Sequence, residues 1–204
     1  MAKSSKQWLQ RQNRDPFVKQ ARSSDYRSRA VFKLQEIDQK DRLFHAGQIV
    51  VDLGAAPGSW SQYAADRVGP RGRVIAVDLL PLDPIPKVLF IRGDFSDDDI
   101  YQQCLQSLQG GASDLVISDM APNLTGIRST DQARSMHLAE LVFDFSCRSL
   151  KPDGAMLVKM FQGQGTDEFT RNIKKRFRKV RVKKPMASRD KSREFFFLAQ
   201  GYDV

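Results

Sequence analysis

Cysteine and histidine are scarce in this chain of 204 residues, which holds two of each. Cys104 and Cys147 lie in helix-like segments and form no CxxC pair, so a disulfide framework is not expected. His45 and His137 are far apart in the sequence, so neither a zinc site nor another metal site is expected. This residue usage favours a soluble cytoplasmic protein that contains no metal.

Long apolar runs are also missing. No stretch approaches the roughly 18 residues of a membrane span, and the basic N-terminus lacks the apolar core of a signal peptide. The hydrophobic fraction of 41% is nevertheless enough for a core, and the length suggests one domain. We expect a monomer without membrane contacts, with a flexible or loosely docked basic arm over residues 1–27 and a single domain over residues 28–204.

The charge is distributed unevenly along the chain, whose net charge is +9. Residues 1–42 hold 11 Lys/Arg against 5 Asp/Glu, and residues 171–193 hold 12 Lys/Arg against one acid, so the rest of the chain is acidic. Segregation on this scale favours a polyanionic partner, bound through its phosphates with release of counterions. Nucleic acid is the expected partner, because no amphipathic face rich in Trp or Leu supports an anionic membrane.

Strand-like and helix-like segments alternate from residue 49 to residue 177, which predicts an α/β fold with a doubly wound, mostly parallel sheet. The last two strands have no helix between them, so an antiparallel pair that includes the C-terminal strand is expected at one edge. Ser28 is a candidate cap for the first helix. The predicted strands are 49–53, 73–78, 88–91, 114–118, 154–160, 179–183 and 195–200, and the predicted helices are 29–42, 58–68, 97–108, 131–150 and 166–177.

The most informative segment is 50–60, where an apolar strand ends at Asp52 and Leu53 and passes into a glycine loop. Gly54 and Gly58 allow positive φ and let a ligand approach the backbone closely. The loop is not G-x-G-x-x-G, which disfavours a nicotinamide oxidoreductase with its pyrophosphate-binding turn. It suits a ligand without phosphates, and S-adenosylmethionine fits that description.

Acids also follow the next two predicted strands. Asp78 ends the second strand, where a carboxylate can accept hydrogen bonds from both ribose hydroxyls, and Asp94 follows the third, where an acid can bind the adenine amino group. Each acid alone is weak support, since Asp94 could simply cap the next helix. Acids after strands one, two and three in this order together indicate a methyl-donor site.

Asp119 and Lys159 follow strands four and five, so they are expected at adjacent carboxyl edges beside the donor loop. A lysine at the end of a buried strand is costly unless it is paired or functional. Neither cysteine ends a strand, which disfavours methylation of a pyrimidine carbon. The 119–122 loop also lacks the aromatic pattern that is typical of amine methylation. Lysines combined with acids suit a hydroxyl acceptor.

In segments 27–34, 52–60, 118–123, 158–163 and 188–194 the chain resembles the FtsJ-type ribosomal RNA 2′-O-ribose methyltransferases. The likeness extends over about residues 27–200 and implies a Rossmann-like sheet of the S-adenosylmethionine-dependent type. Ser59 departs from the pattern, because relatives often have a second glycine there. The family's Lys-Asp-Lys-Glu catalytic tetrad falls on Lys33, Asp119, Lys159 and Glu194. The implied donor contacts are Gly58, Trp60, Asp78, Asp94 and Asp119.

The resemblance implies methylation of a uridine ribose in large-subunit (23S) ribosomal RNA, with the assembled subunit as substrate. Lys159 would then lie beside the ribose hydroxyl. As a general base it would have to be neutral, which burial or the nearby Lys33 would favour and the carboxylates Asp119 and Glu194 would oppose. As an ammonium it would only hold the hydroxyl. Both possibilities are open from the sequence.

The sequence also suggests which residues contact RNA, and it leaves other functions open. Phosphate contacts are expected from Arg27, Arg29, Arg189 and Arg193. The alternatives are 2′-O-methylation of another structured RNA, a non-catalytic RNA-binding module, and methylation of a small molecule or protein. A binding module would have a degraded donor loop or no Lys159, and neither is seen. The basic 171–193 segment argues against a small molecule or protein.

Overall fold

The structure is a computed structural model that describes residues 15–123, 125–188 and 192–203. Its strands are Ile49–Leu53 (β1), Arg73–Asp78 (β2), Val88–Arg92 (β3), Ser113–Ser118 (β4), Leu150–Phe161 (β5), Phe177–Lys183 (β6) and Glu194–Tyr202 (β7). Its helices in the described ranges are Pro16–Ser23 (α1), Val31–Asp41 (α2), Ser59–Val68 (α3), Asp98–Gln106 (α4), Arg128–Ser149 (α5) and Thr166–Lys174 (α6). Every predicted strand and helix is present: β1 and β2 have the predicted bounds, and the other elements have shifted ends.

The strands form one sheet in the order β3-β2-β1-β4-β5-β7-β6. The first five are parallel neighbours, and β7 is antiparallel to both β5 and β6. The predicted mostly parallel α/β sheet with antiparallel C-terminal strands is confirmed, with β6 as the outer strand of that pair. The strand order reverses between β1 and β4, and ligands of such sheets bind outside the carboxyl ends of the strands at that point.

Both faces of the sheet are covered by helices. β1, β2 and β4 are almost entirely buried, as expected for continuous runs of Val, Ile and Leu in parallel strands. One apolar core contains side chains of α4, α5 and α6, and the core on the opposite face contains side chains of α1, α2 and α3. The carboxyl edge of the sheet is therefore flanked by α2 and α3 on one face and by α5 and α6 on the other. No helix in the described part of the chain is long and apolar enough to cross a membrane.

Part of the predicted flexible arm is a docked helix. α1 begins at Pro16, whose ring suits the first helical position, and Asp15 caps it by accepting a hydrogen bond from the Phe17 amide at 3.0 Å. Val18 and Ala21 are buried. Two apolar side chains therefore anchor this helix to the core, and the flexible or loosely docked arm over residues 1–27 stays a prediction. Residues 1–14 lie outside the described residues, and the predicted domain boundary stays a prediction.

Candidate active site

The loop after β1 depends on two glycines. Gly54 has φ +81° and Gly58 has φ +106°, a region that residues with a side chain rarely adopt. A Cβ at Gly54 would lie 2.4 Å from the Met120 Cγ, and a Cβ at Gly58 would lie 2.9 Å from the Arg27 guanidinium. The Gly54 amide also donates to the Val77 carbonyl at 2.9 Å. The loop is thus held against the ends of β2 and β4 before the chain enters α3.

Asp78 fixes the same loop from the end of β2. Its two carboxylate oxygens accept hydrogen bonds from the Ala56 amide and from the Leu80 amide, both at 2.8 Å. One bond reaches the loop after β1, and the other holds the start of the β2–β3 connection. Each carboxylate oxygen can accept two hydrogen bonds, so the predicted contacts with ribose hydroxyls are compatible with this arrangement.

Asp52, the acid of the first strand, lies buried beneath the loop, and no separate role in the site was predicted for it. The Ser61 hydroxyl donates to its Oδ2 at 2.6 Å, whereas its Oδ1 is buried without a hydrogen-bond partner among the described residues. Burial raises the pKa of Asp52 to about 7, the Ser61 hydrogen bond opposes this rise, and the carboxylates of Asp119 and Asp78 add to it. A cluster of three carboxylates with an unpartnered oxygen favours a cationic ligand. S-adenosylmethionine carries an ammonium and a sulfonium, so these residues fit it.

The stability of Asp52→Asn relative to wild type is expected to rise between pH 4 and pH 7 and to level off above pH 7. The pKa of Asp52 is about 7 in the folded protein, above its ordinary value of 3.8. As the pH rises, this carboxyl therefore ionises in the unfolded chain before it ionises in the folded protein, and wild type loses stability across this window. Thermal unfolding from pH 4 to pH 8 measures the effect, a relative rise in Tm of roughly 5–10 °C. Asp66→Asn, on the exposed face of α3, is the control. A Tm difference between Asp52→Asn and wild type that does not change with pH would contradict the raised pKa of Asp52.

Asp94 lies at the carboxyl end of β3, as predicted, and is exposed. Its Oδ1 accepts hydrogen bonds from the Ser96 hydroxyl at 2.7 Å and from the Ser96 amide at 2.9 Å, and these bonds hold the pKa of Asp94 below its ordinary value. It does not cap the next helix, because the cap of α4 is Asp97. A carboxylate in this place is therefore ionised and accessible to a ligand that donates hydrogen bonds.

The side chain of Trp60 belongs to the core. Its indole nitrogen donates to the Ala30 carbonyl at 2.8 Å, and its ring lies against Phe196 with centroids 5.8 Å apart. Ala30 precedes the first residue of α2, so Trp60 secures the start of the helix that carries Lys33. If Trp60 contacts the methyl donor as predicted, it does so through its backbone at the start of α3. That contact stays a prediction.

The four residues of the predicted tetrad meet at the carboxyl edge of the sheet. Lys33 comes from α2, Asp119 follows β4, Lys159 lies near the end of β5, and Glu194 begins β7. The Lys33 Nζ lies 2.8 Å from the Glu194 Oε1 and 3.8 Å from the Asp119 Oδ1. The Lys159 Nζ lies 2.9 Å from the same Asp119 oxygen and also donates to the Asp119 carbonyl. Positive and negative groups therefore alternate through the tetrad.

All four tetrad side chains are largely buried, and their exposed fractions run from 7% for Lys159 to 18% for Asp119. Two ammonium groups facing two carboxylates make this burial tolerable. Burial by itself would raise the pKa of Glu194, but the Lys33 and Lys159 ammonium groups and the Ser188 hydroxyl together outweigh it and hold that pKa below its ordinary value. Glu194 is therefore a carboxylate at neutral pH, and it anchors Lys33 beside Asp119.

Arg27, predicted to contact RNA, makes hydrogen bonds to other parts of the protein. Its guanidinium donates to the carbonyls of Pro57 at 3.2 Å, Asp83 at 2.8 Å and Pro84 at 3.1 Å. These carbonyls belong to the donor loop and to the β2–β3 connection, so Arg27 joins the two segments that flank Gly58. Its contact with RNA stays a prediction.

The other three predicted RNA contacts differ in their surroundings. Arg29 pairs with Asp15 and donates to the Ala187 carbonyl, so it too has an internal role. Arg193 is exposed and directly precedes Glu194 of the tetrad. Arg189 lies outside the described residues. Within the residues that the structure describes, no group of three or more His, Cys, Asp or Glu could hold a metal ion.

Relatives of known name cover this chain almost completely. The family model described as FtsJ-like methyltransferase matches residues 26–202. A ribosomal RNA large subunit methyltransferase E of Marinobacter nauticus is 50% identical over 203 residues, which are 100% of this chain and 98% of the relative. The protein of that name from Azoarcus is 52% identical over 196 residues, which are 96% of each chain.

Solved structures show the same fold. A protein described as a ribosomal RNA methyltransferase from Plasmodium falciparum is 30% identical and matches with a TM-score of 0.79 over 87% of this chain and 98% of that one. A protein described as an rRNA-methylase from Clostridium thermocellum is 17% identical and matches with a TM-score of 0.55 over 82% of this chain and 95% of that one. At that identity the second likeness concerns the fold alone.

Proposed function

Because the chain belongs to the FtsJ-like methyltransferase family, we propose that it methylates the ribose 2′-hydroxyl of a uridine in large-subunit (23S) ribosomal RNA. S-adenosylmethionine is the proposed donor, and the assembled subunit, in the cytoplasm, is the proposed substrate. The observation that carries the proposal is the buried contact between Lys159 and Asp119 beside the donor loop. The names of the relatives, which are ribosomal RNA large subunit methyltransferases, support the class of substrate.

The donor half of the proposed site consists of the loop after β1 and the acids around it. S-adenosylmethionine, when bound, supplies a methyl group on a positively charged sulfur. Asp52, Asp78 and Asp119 would hold the donor, because carboxylates attract its charges across short distances. Asp94 is accessible for a hydrogen-bond donor at the outer end of the crevice. Asp119 contributes to both halves of the site, since the same carboxylate contacts Lys159.

The acceptor half centres on Lys159. Its Nζ donates one of the three N–H groups of an ammonium to the Asp119 carbonyl and forms an ion pair with the Asp119 carboxylate at 2.9 Å. Another N–H can donate to the ribose oxygen and hold one of its lone pairs toward the donor. In this proposal Lys159 orients the hydroxyl, and the hydroxyl proton leaves to solvent as the oxygen–carbon bond forms and the carbon–sulfur bond breaks. Holding the two reactants in line supplies most of the rate enhancement.

A basic surface supports RNA as the partner. The exposed side chains from α6 through the α6–β6 turn to the start of β6 include six lysines and arginines: Arg171, Lys174, Lys175, Arg176, Arg178 and Lys179. Contacts between such side chains and phosphates position RNA without reading its sequence. The affinity for RNA that depends on these contacts is expected to fall steeply as salt is added.

The proposal is tested with labelled S-adenosylmethionine and large ribosomal subunits from cells that lack the enzyme. The expected product is a single 2′-O-methyluridine, identified by nuclease digestion and mass spectrometry of the ribosomal RNA. Protein-free ribosomal RNA in a parallel reaction measures how much the assembled subunit contributes. Label on a base or on a ribosomal protein would contradict the proposed acceptor.

A further inference from the structure

A cavity opens at the carboxyl edge of the sheet, on the face that carries α5 and α6. Its volume is about 480 Å³, within the range of small-molecule sites. Three parts of the chain line it: the first turns of α5, the β5–α6 loop and Arg193. We call it the α5 cavity. Neither the donor loop nor the tetrad contributes to its wall.

The α5 cavity is nevertheless close to the tetrad. Arg193 directly precedes Glu194, and Glu194 pairs with Phe161 at the end of β5. Gly163, in the cavity wall, follows Lys159 by four residues, which is a chain distance of at most about 14 Å. An RNA strand whose ribose lies at Lys159 would therefore bring a neighbouring nucleotide to this cavity.

The wall of the α5 cavity is held in place by hydrogen bonds. The Gln132 Nε2 donates to the carbonyls of Phe161 and Gln164, both at 3.2 Å. The Arg193 guanidinium donates to the Gln162 carbonyl at 2.7 Å, and the Gln162 amide donates to the Arg193 carbonyl at 3.2 Å. Two polar side chains of the wall are thus fixed before any ligand arrives.

Gly163 leaves room for the Gln132 side chain where that side chain crosses the β5–α6 loop. A Cβ at Gly163 would lie 2.4 Å from the Gln132 Cδ and 2.5 Å from its Oε1. Because both hydrogen bonds of the Gln132 amide are made by Nε2, the orientation of the amide is determined, and no described residue donates to its Oε1. The cavity wall therefore contains a fixed acceptor.

These groups match a nucleotide. Arg128 and Arg193 present exposed guanidinium groups, which bind phosphate or lie against the plane of a base. The Gln132 Oε1 can accept a hydrogen bond from a ring or exocyclic N–H of a base. Fixed acceptors of this kind distinguish bases, because a base without a matching N–H leaves the acceptor unpaired.

We propose that the α5 cavity binds the nucleotide next to the methylated one and that Gln132 reads the edge of its base. This inference rests on the proposed function, since it assumes an RNA strand at Lys159. It gives the chain a means of selecting sequence in addition to the phosphate contacts of its basic surface.

Arg128→Ala and Ala133→Leu test the α5 cavity. The first removes a guanidinium from the wall, and the second fills the cavity with an aliphatic side chain without a change of charge. Arg148→Ala is the matched control, because Arg148 is an exposed arginine at the other end of the same helix, roughly 30 Å away. Both cavity variants should raise KM for large subunits, Arg128→Ala by about tenfold, while kcat and the donor KM stay within about twofold.

The possible outcomes distinguish a failure of the cavity proposal from a failure of the proposed function. If wild type forms 2′-O-methyluridine but neither cavity variant changes KM for subunits, the cavity proposal fails alone. An equal rise with Arg148→Ala, or no rise with Ala133→Leu, also overturns it, because general electrostatic attraction then explains the effect. If wild type labels a base, the ribose assignment fails, and KM for RNA still tests the cavity. Thermal unfolding of each variant verifies that the comparison is between folded proteins.

Discussion

Lys159→Ala is expected to lower turnover by about 10²- to 10⁴-fold while the affinity for the methyl donor changes by less than about threefold. The Nζ of Lys159 contacts both the carboxylate and the carbonyl of Asp119, and a further N–H is the group proposed to hold the ribose oxygen. Without it the hydroxyl loses its fixed direction toward the donor. Donor binding survives because the glycine loop and three carboxylates remain.

The chain offers a matched control on the same strand. Lys151 lies at the opposite end of β5 and pairs with Asp114, as Lys159 pairs with Asp119. Its side chain is 52% exposed, and it is remote from the tetrad. Lys151→Ala should therefore leave turnover within about twofold of wild type. Single-turnover kinetics measure the chemical step, and calorimetric titration with S-adenosylhomocysteine measures donor-site affinity. Near-wild-type turnover of Lys159→Ala would end its assignment to the reaction.

The sheet could be predicted because its inner strands are short apolar runs that end in turns, as in β1, β2 and β4. Where polar residues interrupt a strand, the prediction was less accurate. β5 begins at Leu150 rather than at residue 154, since the segment around Asp153 has the composition of a turn and φ +66° at that residue. The helix α1 was missed because its eight residues offer too short a periodic pattern, although Asp15 and Pro16 are good helix-start residues.

The tetrad could be proposed because carboxyl ends of parallel strands meet at one edge and because the family pattern identifies Lys33 and Glu194. The internal roles of Arg27 and Arg29 could not, since they donate to carbonyls as far as 57 and 158 residues away. Asp52 had a usable signal. A charge inside a buried strand is costly, and the argument that selected Lys159 applies equally to this aspartate. Gln132 had no such signal, because its role depends on how two loops approach each other.

Asp119→Asn is expected to lower turnover as strongly as Lys159→Ala and, in addition, to weaken donor binding by about tenfold. Its carboxylate lies 2.9 Å from the Lys159 Nζ and 3.8 Å from the Lys33 Nζ, so its loss leaves two buried ammonium groups facing a neutral amide. It also removes one of the three carboxylates that favour a cationic donor. Because the Asp119 charge raises the pKa of Asp52, the variant should lower that pKa and move the pH window of Asp52 downward.

A double variant tests whether Asp119 and Lys159 act together as one catalytic unit or independently. Asp119 is proposed to position the Lys159 ammonium, which in turn positions the ribose hydroxyl. In that case the turnover of the double variant Asp119→Asn/Lys159→Ala should be little lower than that of the slower single variant. Asp114→Asn is the control, because Asp114 pairs with Lys151 and accepts a hydrogen bond from the Ile49 amide at 2.7 Å. That change should lower Tm without lowering turnover. Multiplicative losses in the double variant would show that the two residues act separately, and they would contradict the proposed orientation of the ribose oxygen by a Lys159 that Asp119 holds in place.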